Sequence, residues 1–312
     1  MTPFKGKLRT RHLEAMLAIA DFGSLSKSAQ HLHMTQSGLS RLLTELEEIA
    51  GGRLFERTGK GMSCTSLGEA MCQHAHILLG DLAKAEADLL AVAKGELGQL
   101  TLGCFSMFSG WPLAQAITLF RSRHPRIALS VQVGMHERML EDLDSAKLDL
   151  LISRNLPNLD PALYRTRSLL EDKVVLACAA DHPLAKTTRI SLEDCAQYPW
   201  ITAPPQTRVR LELETFLRQN GITLPAMIGA LSLELNLELV KQGGYLCMLP
   251  YSVAQAHRQR GDLHLLPVSI DVAFPPLAAI WRREHTATLH IREFTNTLID
   301  VIQNHDIVKS TK

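Results

Sequence analysis

Residues 23–57, GSLSKSAQHLHMTQSGLSRLLTELEEIAGGRLFER, decide how the rest of the 312-residue chain is read. Leu25, Ala29 and Leu32 follow one another at steps of four and three, which puts them on one face of a helix, and Ser24 stands in front as its N-cap. A turn over 31–34 leads to Thr35, whose hydroxyl is placed to cap a second helix that buries Leu39, Leu42, Leu43 and Leu46. The opposite face of that helix carries Gln36, Ser37, Ser40, Arg41 and Thr44. These side chains reach base edges and phosphates, and they gather at the end that a recognition helix pushes into a major groove. Two short helices, a tight turn and such a face make a helix-turn-helix.

Any solvated amphipathic helix also has a polar outer face, so the segment that follows carries weight. GGRLFERTGKG, residues 51–61, is basic and rich in glycine, as a two-stranded wing is, and Arg53, Arg57 and Lys60 are then set to meet phosphate or the minor groove. Read in order, Ser24, Ser28-Ala29, Leu32, Gln36, Ser40, Leu46-Glu47, Leu54-Phe55-Glu56-Arg57 and Thr65 fill the pattern of one family. In this run the chain resembles the LysR-type transcriptional regulators. It departs from the pattern at Ser37, where the family often has proline, at Ser28, where alanine is frequent, and at Ala50, where leucine is usual. None of these removes a polar group from the reading face.

The net charge of +1 conceals a division: residues 1–64 hold nine Lys and Arg against six acids, a net +3, which leaves 24 bases and 26 acids beyond, a net −2. A basic head on a weakly acidic body fits a nucleic-acid-binding head joined to a body with another task. Apolar residues make up 46% of the chain, no apolar run is long enough to span a bilayer, and the basic N-terminus leads into an amphipathic helix, so a cytoplasmic protein with no membrane partner is expected. The six cysteines form no CxxC pair and have no histidines at zinc spacing, so neither a metal nor another cofactor is expected. Some members of the resembled family sense oxidants through a cysteine pair in the effector domain, and Cys178 and Cys195 would be the counterparts here. There is no Gly-x-Ser-x-Gly, P-loop, HExxH or dinucleotide fingerprint, so an enzyme is not expected.

Along the chain, a first helix is expected over 11–21, with Leu13, Met16, Leu17 and Ala20 on one face and Gly23 as its C-cap. Beyond the wing, Ser66 and Glu69 offer a capping box for a long helix running to Gly95. Its near-heptad seam of Leu67, Met71, His74, Leu78, Leu82, Ala85, Leu89 and Val92 suits dimerisation with the same helix of a second subunit, or packing on the chain's own effector domain. A two-fold dimer matches a partly palindromic operator on double-stranded DNA.

After Gly98 short apolar runs alternate with helical patterns. Strands are expected over 100–104, 127–133, 148–153, 173–179, 199–202, 226–230, 245–249 and 277–282, and helices over 111–123, 137–146, 207–220, 233–242 and 289–303. That alternation implies a mostly parallel α/β arrangement. It is similar to the family's periplasmic-binding-protein-like effector domain, two lobes joined by crossing segments near 163–168 and 266–270. The expected organisation is thus multidomain: an all-α winged helix-turn-helix over 1–64, a linker helix over 65–95, and a two-lobed α/β effector domain over 96–312, with lobe one at 99–165 and 268–304 and lobe two at 166–267.

Ligands of open α/β sheets bind beyond the carboxyl ends of the strands. There the sequence offers Ser106, Met107, Phe108 and Ser109, then Ser153 and Arg154, then Thr202. By similarity to the family, the positions of Ser106 and Thr202 line the effector cleft. Ser106 and Ser109 precede the helix expected from Trp111, a place that attracts a carboxylate, and Arg154 would complete a charge-assisted pair. Equally, the serines only cap and Arg154 is a surface charge, while Phe108 and Trp111 either stack on a ligand ring or fill the core. The resemblance implies a sequence-specific DNA-binding regulator controlled by a small organic effector, an anion on these residues. It also implies a homodimer that assembles into a homotetramer, with RNA polymerase a further partner. The competing expectation is a small-molecule binding protein without regulatory DNA binding.

Overall fold

The computed structural model describes residues 4, 6–59, 61–93, 98–134, 136–154, 159–205, 207–224, 227–272, 275–283 and 289–304. Packing divides the chain into two compact units, one running from the N-terminus to Gln99 together with Leu140–Leu148, the other comprising Leu100–Met139 and the chain from Asp149 onward.

In the first unit, α1 (Thr10–Phe22), α2 (Leu25–His31) and α3 (Gln36–Ala50) precede a hairpin of β1 (Phe55–Thr58) and β2 (Gly61–Cys64), and then α4 (Ser66–Ala93). α1 ends as expected at Gly23, which takes φ 59° and donates its N–H to Ile19 O. The buried face of α1 is rotated from the expected one: Leu13, Met16 and Ile19 point inward while Ala20 is exposed. These residues pack with Ala29, Leu39, Leu42, Leu46, Leu54 and Phe55 into a single apolar core. The β1–β2 pairing is antiparallel, with Phe55 opposite Cys64 and Thr58 opposite Gly61. α4 is capped one residue earlier than expected. Thr65, not Ser66, accepts the Gly68 N–H at 3.0 Å, because its hydroxyl is held in place by donation to Arg53 O at 2.8 Å. The expected end of this helix near Gly95 lies outside the described residues.

The second unit begins in β3 (Gln99–Phe105) and continues through α5 (Leu113–Arg123) and β4 (Ala128–Gly134). α6 (His136–Asp144) crosses between the two groups of residues, and β5 (Leu150–Arg154), β6 (Tyr164–Leu170) and β7 (Val174–Cys178) follow. Then come α7 (Leu192–Cys195), β8 (Trp200–Thr202), α8 (Arg208–Gln219), β9 (Met227–Gly229) and α9 (Leu233–Lys241). The chain closes with β10 (Leu246–Pro250), α10 (Tyr251–Gln259), β11 (His264–Leu265), β12 (Leu277–Arg282) and α11 (Leu289–Asn304). Two five-stranded sheets result, in the orders β4-β3-β5-β12-β6 and β11-β7-β10-β8-β9.

Both sheets are mixed, where a mostly parallel arrangement was expected. β3 and β5 run parallel, but β12 returns antiparallel between β5 and β6; β8 runs parallel to both β10 and β9, while β7 is antiparallel to β10. β6, α7, α10 and β11 were not anticipated. β6 hides from pattern reading because it is an edge strand: residues 165–168 are all exposed, so YRTRSLL shows no alternation. Since β6 belongs to the first sheet, the outgoing crossing is residues 171–173, not 163–168, and 166–170 move from lobe two to lobe one. The return crossing lies between β11 and β12 and includes the described residues 266–272 and 275–276. α5 starts at Leu113, two residues late, since the residue before Pro112 is driven away from helical torsions. Of the strand expected over 226–230, Ala226 lies outside the described residues.

Candidate nucleic-acid interface and effector site

α3 presents its polar face because its other face is committed. Leu39, Leu42, Leu43 and Leu46 are buried, and Thr35 caps the helix by accepting the Gly38 N–H at 3.1 Å. Gln36, Ser37, Ser40, Arg41 and Thr44 are all exposed. Two of the helix acids are drawn off this face. Glu45 meets the buried ring of His12 at 3.3 Å, and Glu47 accepts the N–H groups of Leu54 and Phe55 at 2.8 and 3.4 Å. The N-terminal half of α3 therefore shows donors and a guanidinium with no carboxylate between them, which is what a phosphate-lined groove accepts. Arg53 and Arg57 are exposed beside it in the wing; Lys60 lies outside the described residues.

Ser24 is half-buried and makes no side-chain cap; its carbonyl is the useful group, accepting the Ser28 N–H and the Ser28 hydroxyl at 2.7 Å. Ser28 is fully buried and its hydroxyl also lies 2.9 Å from Ala18 O, so this departure from the family pattern adds a polar tie between α1 and α2. His33, within the expected turn over 31–34, turns the chain between α2 and α3 at φ 53°.

On α4 the expected seam separates into two parts. Met71 is in the core of the head and is not available to a partner. Leu67, Leu78, Leu82 and Leu89 are 43, 47, 53 and 72% exposed, and His74, Ala85 and Val92 are exposed as well.

The effector candidates are less available than the sequence suggested. Ser106, Met107 and Phe108 form a short 3-10 turn after β3, and Ser109 donates to Ser106 O at 2.7 Å. These serines therefore precede α5, whose first turn begins with Ala114 N donating to Gly110 O at 2.8 Å, without capping it through their side chains. Met107 and Phe108 are buried in the apolar cluster that continues through Ile201 and Val253. Ser153 is buried within β5 opposite Ala278. Arg154 is neither a surface charge nor a waiting anion ligand. Its guanidinium lies over the Phe108 ring, 4.6 Å from the centroid, donates to Pro275 O at 3.0 Å and pairs with Asp172 at 3.3 Å. Burial lowers its pKa to about 10, with Asp172 opposing that shift.

Asp172 is the residue that sequence reasoning missed. It sits in the outgoing crossing and accepts from Lys173 N at 3.0 Å, from Ser252 Oγ at 2.7 Å and from Ser252 N at 3.3 Å. A chain carboxylate thus occupies the first turn of α10. Arg154 in the first sheet holds both crossings at once, through Asp172 and Pro275. Nothing in a local window marks residues 154, 172, 252 and 275 as neighbours.

Thr202 is also engaged, donating to Ala203 O at 3.0 Å and accepting from Arg210 Nη1 at 3.1 Å. Arg210 is buried and pairs with Glu214 at 2.7 Å; the Arg-x-x-x-Glu spacing was its one sequence signal. Close by, Ala230 N donates to Thr202 O, Ser232 caps α9, and Asn236 in that helix is 1% exposed with neither end of its amide hydrogen-bonded. Cβ bonds lean toward a helix N-terminus, so this amide is directed to the start of α9, beyond the carboxyl end of β9. A buried amide in that condition is suited to a ligand that both donates and accepts.

Among the described residues no helix is long and apolar enough to cross a membrane. A family model described as "LysR substrate binding domain" matches residues 93–303, and one described as "Bacterial regulatory helix-turn-helix protein, lysR family" matches residues 10–69. The HTH-type transcriptional regulator GbpR of Azospirillum brasilense is 25% identical over 282 residues, covering 90% of this chain and 82% of that one. The HTH-type transcriptional regulator MetR of Haemophilus influenzae is 27% identical over 293 residues, 93% of each. Full-length CbnR complexed with its target DNA superposes with a TM-score of 0.61 at 18% identity, covering 94% of this chain and 100% of that chain, a likeness of fold.

Proposed function

The chain belongs to the LysR family of transcriptional regulators, and from that membership we propose that it reads a partly palindromic operator as a dimer of dimers and answers to a small organic effector. It is a DNA-binding regulator with an effector-binding domain and not an enzyme. The observation that carries the rest is the acid-free, hydrogen-bonding N-terminal half of α3, with Arg41 at its centre and Arg53 and Arg57 flanking it. Gln36, Ser37, Ser40, Arg41 and Thr44 face the bases, Thr35 and Ser24 hold the ends of the motif, and the Lys60 charge adds to the attraction for phosphate. The exposed leucines of α4 support pairing of two chains through that helix, which sets two α3 helices on successive major grooves.

The effector sits beyond the carboxyl ends of β3, β8 and β9, beside Ser106 and Thr202, with the Asn236 amide turned to it. With the Arg154 charge answered by Asp172, an organic acid there is held by N–H donors and the amide and not by a guanidinium. Binding shifts the lobes about the two crossings, and so the geometry of the bound DNA; RNA polymerase reads the outcome.

Selection of bound fragments from random-sequence duplex DNA tests the first part. Wild-type protein enriches one partly palindromic motif, and Arg41→Ala loses about 1–3 kcal/mol of discrimination at the base it contacts. A wild-type protein that enriches no motif overturns the proposal. Ligand-induced thermal shift with small organic acids, present in wild type and lost in Asn236→Leu, tests the second part.

A further inference from the structure

Cys64 is the last residue of the wing strand β2, and Cys72 lies on α4 two turns into the helix. Their sulfurs are 3.9 Å apart. Both are half-buried, whereas Cys104, Cys178, Cys195 and Cys247 are fully buried. Cys178 and Cys195, the pair suggested by sequence, are thus out of reach of a solute oxidant. Cys72 packs against the core of the head, about 80–140° around α4 from the exposed leucines.

We infer that Cys64 and Cys72 are a dithiol that a peroxide closes into a disulfide, joining the wing to α4 and weakening DNA binding. Cys72 is the less reactive thiol, its pKa raised to about 12 by burial first, then by Cys64 and by the carboxylates of Asp21 and Glu69. Attack therefore begins at Cys64. Its thiolate, having given its proton to water, displaces hydroxide from hydrogen peroxide and becomes the sulfenic acid. The Cys72 sulfur then attacks the Cys64 sulfur, the S–O bond breaks, and the leaving hydroxide takes the Cys72 proton. One peroxide is reduced to two waters, and two thiols are oxidised to one disulfide.

Closure draws the sulfurs from 3.9 Å to about 2.05 Å. Cys64 is paired with Phe55 at the base of the wing, and Arg57 lies two residues further along β1, so the pull is passed to the wing's phosphate contacts. Loss of one charge-assisted contact corresponds to about tenfold in affinity.

The test uses full-length protein treated with hydrogen peroxide and quenched. Wild type gains a peptide cross-linked between residues 64 and 72, becomes about 2 Da lighter, and binds operator DNA about tenfold more weakly, all reversed by dithiothreitol. Cys64→Ala, which leaves the reading face untouched, binds as reduced wild type does and is insensitive to peroxide. Absence of the 64–72 linkage under conditions that oxidise a free thiol peptide overturns the dithiol assignment. A linkage that forms with DNA affinity unchanged overturns its coupling to the wing.

Discussion

Replacing Asp172 by alanine removes one carboxylate that serves four donors, from Arg154 in β5, Lys173 in the outgoing crossing and Ser252 in α10. The side chains of Asp172 and Arg154 are only 2% and 12% exposed, so the guanidinium left behind is held by Pro275 O and the Phe108 ring, away from most solvent. Breaking a buried pair on one side costs about 3–5 kcal/mol, because a charge is left unanswered. The Ser252 hydroxyl also loses its 2.7 Å acceptor, and a bond to a charged group of that kind contributes about 1.5–3 kcal/mol. Arg154→Met should be milder, about 1–3 kcal/mol, since the carboxylate keeps Ser252 Oγ, Ser252 N and Lys173 N. The double variant should then be less destabilised than the sum of the two by more than about 1 kcal/mol. Urea unfolding followed by tryptophan fluorescence isolates the effect, for Trp111, Trp200 and Trp281 all lie in the second unit. If Asp172→Ala unfolds within about 0.5 kcal/mol of wild type, or the two changes simply add, the node does not hold the crossings and the argument fails.

Three other perturbations follow from single observations. Leu82→Glu places a carboxylate in the middle of the exposed α4 stripe, so sedimentation should show smaller assemblies with the far-ultraviolet spectrum of the head retained; an unchanged mass would remove Leu82 from the interface. Gly68→Ala gains about 1 kcal/mol of helix propensity but sets a methyl against Leu54 O, an oxygen already bound by Thr65 N at 3.0 Å. A net loss of about 1–3 kcal/mol in the thermal transition of the head is expected, and a stabilised variant would contradict the tight contact. His182 is buried, accepts Leu184 N at 3.2 Å and has its pKa lowered by burial, so the unfolded chain takes up this proton first. Its share of stability is complete above about pH 6.5 and is lost as pH falls from there toward the depressed folded value. His182→Asn, which retains an acceptor, should flatten that part of the stability profile, and an unchanged slope would assign it to other groups.

What could be read along the chain was what a few consecutive residues decide. Thr35 caps α3 and Gly23 ends α1 because a hydroxyl three residues from an orphan N–H, and a residue that tolerates positive φ, act locally. The leucine spacing of α3 alone set which side chains stay outside, and hence most of the candidate DNA face. The shift of the α4 cap from Ser66 to Thr65 was already beyond this reach, since Arg53 O and not the helix sequence positions the hydroxyl.

The effector domain shows the division more sharply. Its buried strands announce themselves as apolar runs, but β6 is an edge strand with four exposed residues in succession, and only its pairing with β12 makes it a strand. Arg154 looked like a charge awaiting an anion; the fold answers it with Asp172, eighteen positions away, and with Pro275, over a hundred positions away. Cys64 and Cys72 are eight residues apart, yet only the turn from β2 into α4 brings their sulfurs together. Local propensity is written in periods of two and 3.6 residues, whereas the partner of a buried charge or thiol is chosen by whichever distant segment the packed core brings alongside.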